Sequence, residues 1–301
     1  MLIEVFIPTH NHEKFIAKAI DSVVNQTTSY QYSIVVSNDF STDNTSKEVE
    51  KMLKKYSDKI RYINHTENIG IMNNYYQYLN ASEADIILFC EVDDYWVDEA
   101  KLEKQVDFLV SNENCAVVFS ATKNIEYSTE ETVRIATDLG GKNKYYLHDI
   151  LPHNTLNTLS AVGIKNTIKK SYPDWYTQCN TPDGPLYFVL LGTQYYIQYM
   201  NFIGTNYRIN GGVWSGLKKI DQQKSAIETY EVLLKNLNEK DKKFCKLAIL
   251  KSLLTLVKEY RKVDFKMSLF YCKRIITYNS FSIKKLIYIL LLPLVLLDVF
   301  D

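Results

Sequence analysis

No C-x-x-C pair occurs in this sequence, and its five cysteines, Cys90, Cys115, Cys179, Cys245 and Cys272, are odd in number and scattered. That spacing supports neither a zinc site nor a disulfide framework, and it fits reduced thiols in a cytosolic setting. An excess of charge of either sign is also missing: thirty-five basic residues balance thirty-five acidic ones. Nothing electrostatic therefore argues for nucleic acid, which usually meets a basic face. The sequence has no G-x-x-x-x-G-K loop, no G-x-G-x-x-G fingerprint and no G-x-S-x-G elbow. Those absences argue against kinase, dehydrogenase and serine-hydrolase chemistry. The charged-then-apolar layout of a signal peptide is lacking too, since a strand-like run, Leu2 to Ile7, opens the chain. Long apolar runs are scarce. The main one, Leu286 to Leu297, is twelve residues broken by Pro293 and preceded by Lys284 and Lys285. That is short of the roughly 20 residues needed to cross a bilayer. It reads either as a buried terminal helix or as a monotopic anchor whose lysines meet anionic headgroups.

What is present is an ordinary globular composition, 46% hydrophobic and 23% charged, on a chain long enough to bury a large core. Over the first 120 residues two periods alternate. Leu2–Ile7 and Tyr32–Ser37 read as short apolar strands covered on both faces. Between them Phe15, Ile16, Ala19, Ile20, Val23 and Val24 recur at helical spacing, predicting a helix from about Glu13 to Gln26. The capping cluster Ser41–Thr45 starts a second helix through about Tyr56. Ile60–Asn64 reads as a strand, Met72–Leu79 as a helix and Asp85–Glu91 as the most apolar strand. Lys101–Val110 follows as a helix and Cys115–Ser120 as a strand. Such alternation implies βαβ units and a mainly parallel sheet, with ligands beyond the carboxyl ends of its strands. One rim then gathers Pro8–Asn11, Asn38–Ser41, His65–Gly70 and Glu91–Asp94. Residues 121–147 read as a variable loop or hairpin. Leu159–Ile164 is expected as a strand, Gly184–Leu191 as a helix and Tyr195–Arg208 as one or two strands, and the pattern is helical from about Asp221 onward.

The strongest chemical signal is Glu91-Val92-Asp93-Asp94, three carboxylates in four residues after an apolar strand. Like charges this close repel unless a cation lies between them. Oxygen ligands of this kind suit Mg²⁺ or Mn²⁺, which bind through one or two carboxylates plus substrate phosphates. The plainer reading is a solvated acidic turn capping the helix that begins near Asp98.

Six segments in order turn that balance. Phe6–His12, Ser37–Thr45, Asn68-Ile69-Gly70, the run from Glu91 through Trp96 and Lys101–Leu109, Asp183–Leu186 and Tyr207–Ser215 together resemble glycosyltransferase family 2, inverting enzymes of the GT-A fold, over residues 2–216. The likeness is strongest to a bacterial surface-polysaccharide subgroup. The resemblance implies an α/β GT-A domain over 1–218, with a nucleotide-sugar-binding half (1–120) and an acceptor-binding half (121–218). A C-terminal helical region (219–301) would follow, its tail 284–301 able to associate with a membrane. It implies that Pro8, His10 and Asp39 hold the nucleobase, with Thr9, Asn11, Asn68 and Gly70 in the same donor loops. Asp93 would face the ribose and the metal, Asp94 would be the direct metal ligand, and Glu91 would brace the loop. Asp183 would be the general base, for which a helix N-cap is the competing reading. The implied activity is hexosyl transfer from a UDP-sugar, with Mn²⁺ or Mg²⁺, to a hydroxyl of a lipid-linked glycan in capsule, exopolysaccharide or O-antigen synthesis. The enzyme would be cytoplasmic and peripheral to the inner membrane, with no nucleic-acid partner. A sugar-1-phosphate nucleotidyltransferase and a non-catalytic nucleotide-sugar-binding protein are the rival readings. Three departures from the family pattern stand out, the first being Pro182-Asp183-Gly184 where the subgroup often has Gly-Asp-Trp. Only Asp39 remains of an acidic pair at Asn38-Asp39, and Asn210 stands where relatives often carry histidine.

Overall fold

The computed structural model describes residues 1–278 apart from 139, 151–155, 157, 169–170, 193 and 213; the apolar tail 284–301 lies outside the described residues. Strands and helices first alternate: β1 (Ile3–Thr9), α1 (Ile16–Val24), β2 (Ser33–Asn38), α2 (Thr45–Lys55), β3 (Ile60–Asn64), α3 (Ile71–Ala81) and β4 (Ile86–Phe89). There follow β5 (Tyr95–Trp96), α4 (Lys101–Ser111), β6 (Cys115–Glu126), β7 (Thr132–Ala136), β8 (Lys144–Tyr145), the single turn α5 (Leu147–Ile150), β9 (Val162–Lys165), α6 (Asp183–Leu191) and β10 (Tyr196–Ile209). Among the described residues three helices follow: α7 (Lys219–Asn236), α8 (Glu239–Arg261) and α9 (Phe265–Tyr278).

One sheet runs in the order β3-β2-β1-β4-β9-β6-β10-β5, with β7 paired to β6 and β8 to β10. The first four strands are parallel, as the βαβ alternation predicts. β6 and β10 are parallel as well. The other pairings are antiparallel, because β9 runs back between β4 and β6 and because β5, β7 and β8 add as short reversed strands. Most of the pairing is thus parallel, as expected, with short antiparallel additions at β5, β7, β8 and β9. The expected strand at Leu159–Ile164 opens instead as a 3₁₀ turn, Leu159–Ala161, before β9. Gly163 lets β9 sit this tightly: a Cβ there would lie 3.3 Å from Val118 Cγ2 and 3.5 Å from Leu88 Cγ, on the two neighbouring strands.

β1 is buried at every residue because it is flanked by β2 and β4 and covered on both faces. Its one charge, Glu4, is tolerated because its carboxylate accepts Arg61 Nη2 (2.9 Å), Tyr78 OH (3.0 Å) and Ser82 Oγ (2.7 Å). α1 buries Ile16, Ala19, Ile20 and Val23 completely, the stripe its spacing predicts. Chain direction across the sheet reverses at β1, which puts β2 and β3 on one side and β4 on the other. At such a switch point the carboxyl ends of adjacent strands leave a crevice.

By internal packing the chain divides into two units, Met1–Leu217 and Lys218–Asp301. Within the second, α8 packs against both α7 and α9 around Ile227, Leu233, Ile249, Leu253 and Leu256. Among the described residues no helix is long and apolar enough to cross a membrane.

Candidate active site

The carboxyl ends of β1, β2 and β4 bring three loops together. After β1, His10 places Nδ1 2.7 Å from the Asp39 carbonyl, the arrangement of a ring donating from Nδ1. Asn68 Nδ2 lies 3.3 Å from His10 Nε2. Asn11 takes a positive φ of 57°, and its Oδ1 accepts the Thr42 N–H at 2.7 Å, ordering the loop after β2. Pro8 and Thr9 end the buried strand, and Thr9 Oγ1 has no hydrogen-bond partner among the described residues.

Asp39 is 4% exposed, and each carboxylate oxygen takes a backbone N–H, from Ile69 (2.7 Å) and Gly70 (2.9 Å). It thus builds the 68–70 turn. Any nucleobase contact must use its remaining lone pairs. Gly70 has φ +80° with nothing near its missing Cβ, so glycine is required there by backbone conformation rather than by space. The donor-loop residues expected from sequence, Pro8 through Asn11, Asp39, Asn68 and Gly70, are therefore brought together.

The acidic turn after β4 is more differentiated than its sequence suggests. Asp94 is 1% exposed and fully engaged: Oδ1 accepts the Arg208 N–H (3.0 Å) and Oδ2 accepts Thr158 Oγ1 (2.9 Å). The same Thr158 hydroxyl reaches Glu91 Oε2 at 2.8 Å. Burial, then the neighbouring Asp93 and Glu91, push the Asp94 carboxyl well above the usual range. Glu91 is pushed up to about 8, again chiefly by burial and next by Asp93. Apart from its own backbone N–H, the Asp93 carboxylate takes no hydrogen bond from the described residues. The glycine segment after β10 passes close by, since a Cβ on Gly212 would fall 2.7 Å from Asp93 Oδ2. Both Asp94 oxygens thus hold hydrogen bonds that brace the turn, whereas the Asp93 carboxylate is engaged by no other described residue.

Does the turn suit a divalent ion? Among the described residues no three His, Cys, Asp or Glu groups are arranged to hold one unaided. One free carboxylate fits a Mg²⁺- or Mn²⁺-type site completed by substrate phosphates. It would not suit zinc, which wants a closed protein shell. Asn210, at φ +68°, donates from Nδ2 to Glu126 Oε2 (2.9 Å) and is not directed to the turn.

Asp183 is the first residue of α6, with Pro182 in the capping position, so the capping alternative does not describe it. Its Oδ1 is buried without a hydrogen-bond partner among the described residues, and so are the hydroxyls of Tyr75 and Tyr187. Burial raises its carboxyl above the usual range, with hydrogen bonds from the Gly184 backbone and the Thr181 side chain acting in opposition. Glu91 feels both Asp93 and Asp183, so the three carboxylates lie within electrostatic reach of one another.

Several contributors escape sequence reasoning. His12 accepts the His10 N–H through Nδ1 (3.3 Å) and feels Asp93, although burial lowers its basicity overall. Thr158 and Ser160, from the 3₁₀ turn, hold the acidic turn from below, Ser160 Oγ accepting the Glu91 N–H at 2.8 Å. Arg208 lay inside a quoted motif without an assigned role.

Comparison with known proteins follows the same lines. An uncharacterised protein of Mycobacterium tuberculosis is 28% identical over 174 residues, covering 56% of this chain and 50% of that protein. The chain thus spans about half the length of these curated relatives. The structure of Staphylococcus aureus TarS in complex with UDP-GlcNAc superposes with a TM-score of 0.66 at 16% identity, covering 92% of this chain and 81% of that one. The mannosyltransferase PcManGT from Pyrobaculum calidifontis, in complex with GDP-Man and Mn²⁺, gives 0.62 at 13% identity, covering 98% and 79%. At these identities the two structures establish a shared GT-A fold. The Glycosyl transferase family 2 model matches residues 4–168, more than half of the sequence, and the chain belongs to that family.

Proposed function

We propose that this chain is an inverting glycosyltransferase that moves a sugar from a UDP-sugar to a hydroxyl of a lipid-linked glycan during bacterial surface-polysaccharide assembly. The observation that carries the reading is a pair of carboxylates with hydrogen-bonding capacity left, Asp93 in the turn after β4 and Asp183 at the start of α6, whose Oδ1 is buried without a partner among the described residues. His10, Asn68 and the Asp39-anchored turn would cradle the nucleoside, and Asp93 would hold Mn²⁺ or Mg²⁺ with the diphosphate. Bound there, the cation supplies Lewis-acid stabilisation of the charge that builds on departing UDP. Asp183 takes the proton of the acceptor hydroxyl as its oxygen bonds to the anomeric carbon, and the bond from that carbon to the diphosphate oxygen breaks. Because burial raises the Asp183 carboxyl, turnover should fall on the acid side at a pH above that of an ordinary aspartate.

A membrane-side location draws on the second unit, where Val263 (77% exposed), Phe265 (63%) and Phe270 (50%) stand beside exposed Lys262 and Lys266. Apolar knobs among lysines suit an anionic bilayer surface. The apolar run 286–297 follows in sequence.

The test is a nucleotide-release screen of UDP-sugars with and without Mn²⁺, on wild type and Asp183→Asn. UDP release that needs metal and falls roughly 100- to 10,000-fold in the variant supports the proposal. Metal-independent turnover, or release of pyrophosphate in place of UDP, overturns it. Donor binding without turnover, unchanged by the substitution, would favour a binding protein.

A further inference from the structure

Arg208 is a cation deep in the donor site, 2% exposed. Its backbone N–H supports Asp94 Oδ1 at 3.0 Å, and its Nη1 donates to the Asp93 carbonyl. The rings of Phe15 and Tyr95 lie 4.7 and 5.0 Å from the guanidinium carbon. A charge this enclosed must be compensated. The compensating group is Glu130, whose Oε1 accepts Arg208 Nη2.

Glu130 belongs to none of the donor loops. It lies in the turn joining β6 to β7, in the stretch whose sequence shows no pattern. Besides Arg208 it accepts Lys18 Nζ from α1 (2.9 and 2.8 Å) and Tyr95 OH from β5 (3.1 Å). Lys18 first, and then Arg208, hold its carboxyl at about 2 against the opposing effect of burial. Its φ is +57°, a conformation that residues other than glycine seldom adopt. Such strain persists where the surroundings over-determine it, and it concentrates at functional sites. One carboxylate thus ties α1, β5, the hairpin and β10 to the backbone of the acidic turn.

Arg208 also attracts the Asp93 carboxylate, the group that meets the cation in the function proposed above. With Glu130 charged, the guanidinium stays aimed at the Asp93 carbonyl. Without that charge, the Asp93 side chain remains as an anion that the guanidinium attracts. We infer that Glu130 is a positioning residue of the donor site, neutralising Arg208 so that the Asp93 carboxylate stays available to the divalent cation and the diphosphate. The inference rests on the proposed glycosyltransferase reading.

The test titrates Mn²⁺ into the full chain with UDP present, following free Mn²⁺ by electron paramagnetic resonance, for wild type, Glu130→Gln and Glu130→Asp. Glu130→Gln should weaken Mn²⁺ binding roughly 10- to 100-fold, the usual effect of removing a group that orients a metal ligand. At saturating Mn²⁺ its kcat should stay close to wild type. Glu130→Asp keeps the charge and should fall between the two, which covers the case in which Glu130→Gln does not fold. Wild-type Mn²⁺ affinity in both variants overturns the inference, as does a fall in kcat and thermal stability with Mn²⁺ affinity unchanged. A wild-type protein that binds neither Mn²⁺ nor UDP overturns the glycosyltransferase reading and this inference together.

Discussion

Asp93 and Asp94 are neighbours in the chain with opposite situations. Asp94 spends both oxygens on Thr158 and the Arg208 backbone, whereas Asp93 spends neither on a neighbouring residue. Replacing a buried acceptor strands its donors, at about 1–3 kcal/mol per unsatisfied group. Asp94→Ala should therefore lower unfolding stability by that order, read from denaturant midpoints, while Asp93→Asn should unfold like wild type and lose Mn²⁺-dependent binding. The reverse pattern would exchange their roles. Three carboxylates in four residues suggest an ion site from sequence only beside the other family motifs. Which of them is free depends on partners 64 and 114 positions away, and no local pattern encodes those. His12 and Glu130 were missed for the same reason, since ion-pair partners distant in sequence leave no periodicity behind.

α4 shows what an element can hide. Its apolar spacing predicts the helix, yet the buried stripe begins with Lys101, 0% exposed. Lys101 Nζ bonds Gln105 Oε1 at 2.8 Å and sits 3.9 Å from the centre of the Trp96 ring. Burial lowers the ammonium to about 7, while the unfolded lysine titrates near ~10.4. Between those values the unfolded chain binds more protons than the folded one, so this group makes stability rise with pH across that window. Lys101→Met should remove that slope. The stability difference between variant and wild type should shift in favour of the variant as pH falls from about 10 to about 7, measured by urea unfolding across the range. A constant difference would mean that Lys101 titrates normally. The strands tell a similar story. β1, β2 and β4 were readable because parallel buried strands are continuous apolar runs. Two-residue β5 was not readable. β9 was readable only in part, because its entry is a 3₁₀ turn and its position depends on Gly163 fitting between Val118 and Leu88.

For the whole molecule, the order of motifs along residues 2–216 was enough to identify the family. Mixed pairing from β9 onward was not foreseen, since strand direction within a sheet is set by long-range topology rather than by local composition. The exposed Val263, Phe265 and Phe270 beside Lys262 and Lys266 belong to this scale too. The full chain should co-sediment with vesicles rich in phosphatidylglycerol, weakly with neutral ones and less as salt rises. Phe265→Ser with Phe270→Ser should reduce that binding while nucleotide binding persists. Equal sedimentation with both kinds of vesicle would leave the lysines without a role there.

The clamp on the acidic turn also bears on how the protein is made. Glu91 to Asp94 leave the ribosome long before Glu130, Thr158 and Arg208, the residues that fix them. Glu130 and Thr158 arrive first, and Arg208, with the backbone N–H that meets Asp94, comes 114 positions after Asp94 in a chain of 301. For more than a third of its synthesis the nascent chain therefore carries the acidic turn without its full set of partners.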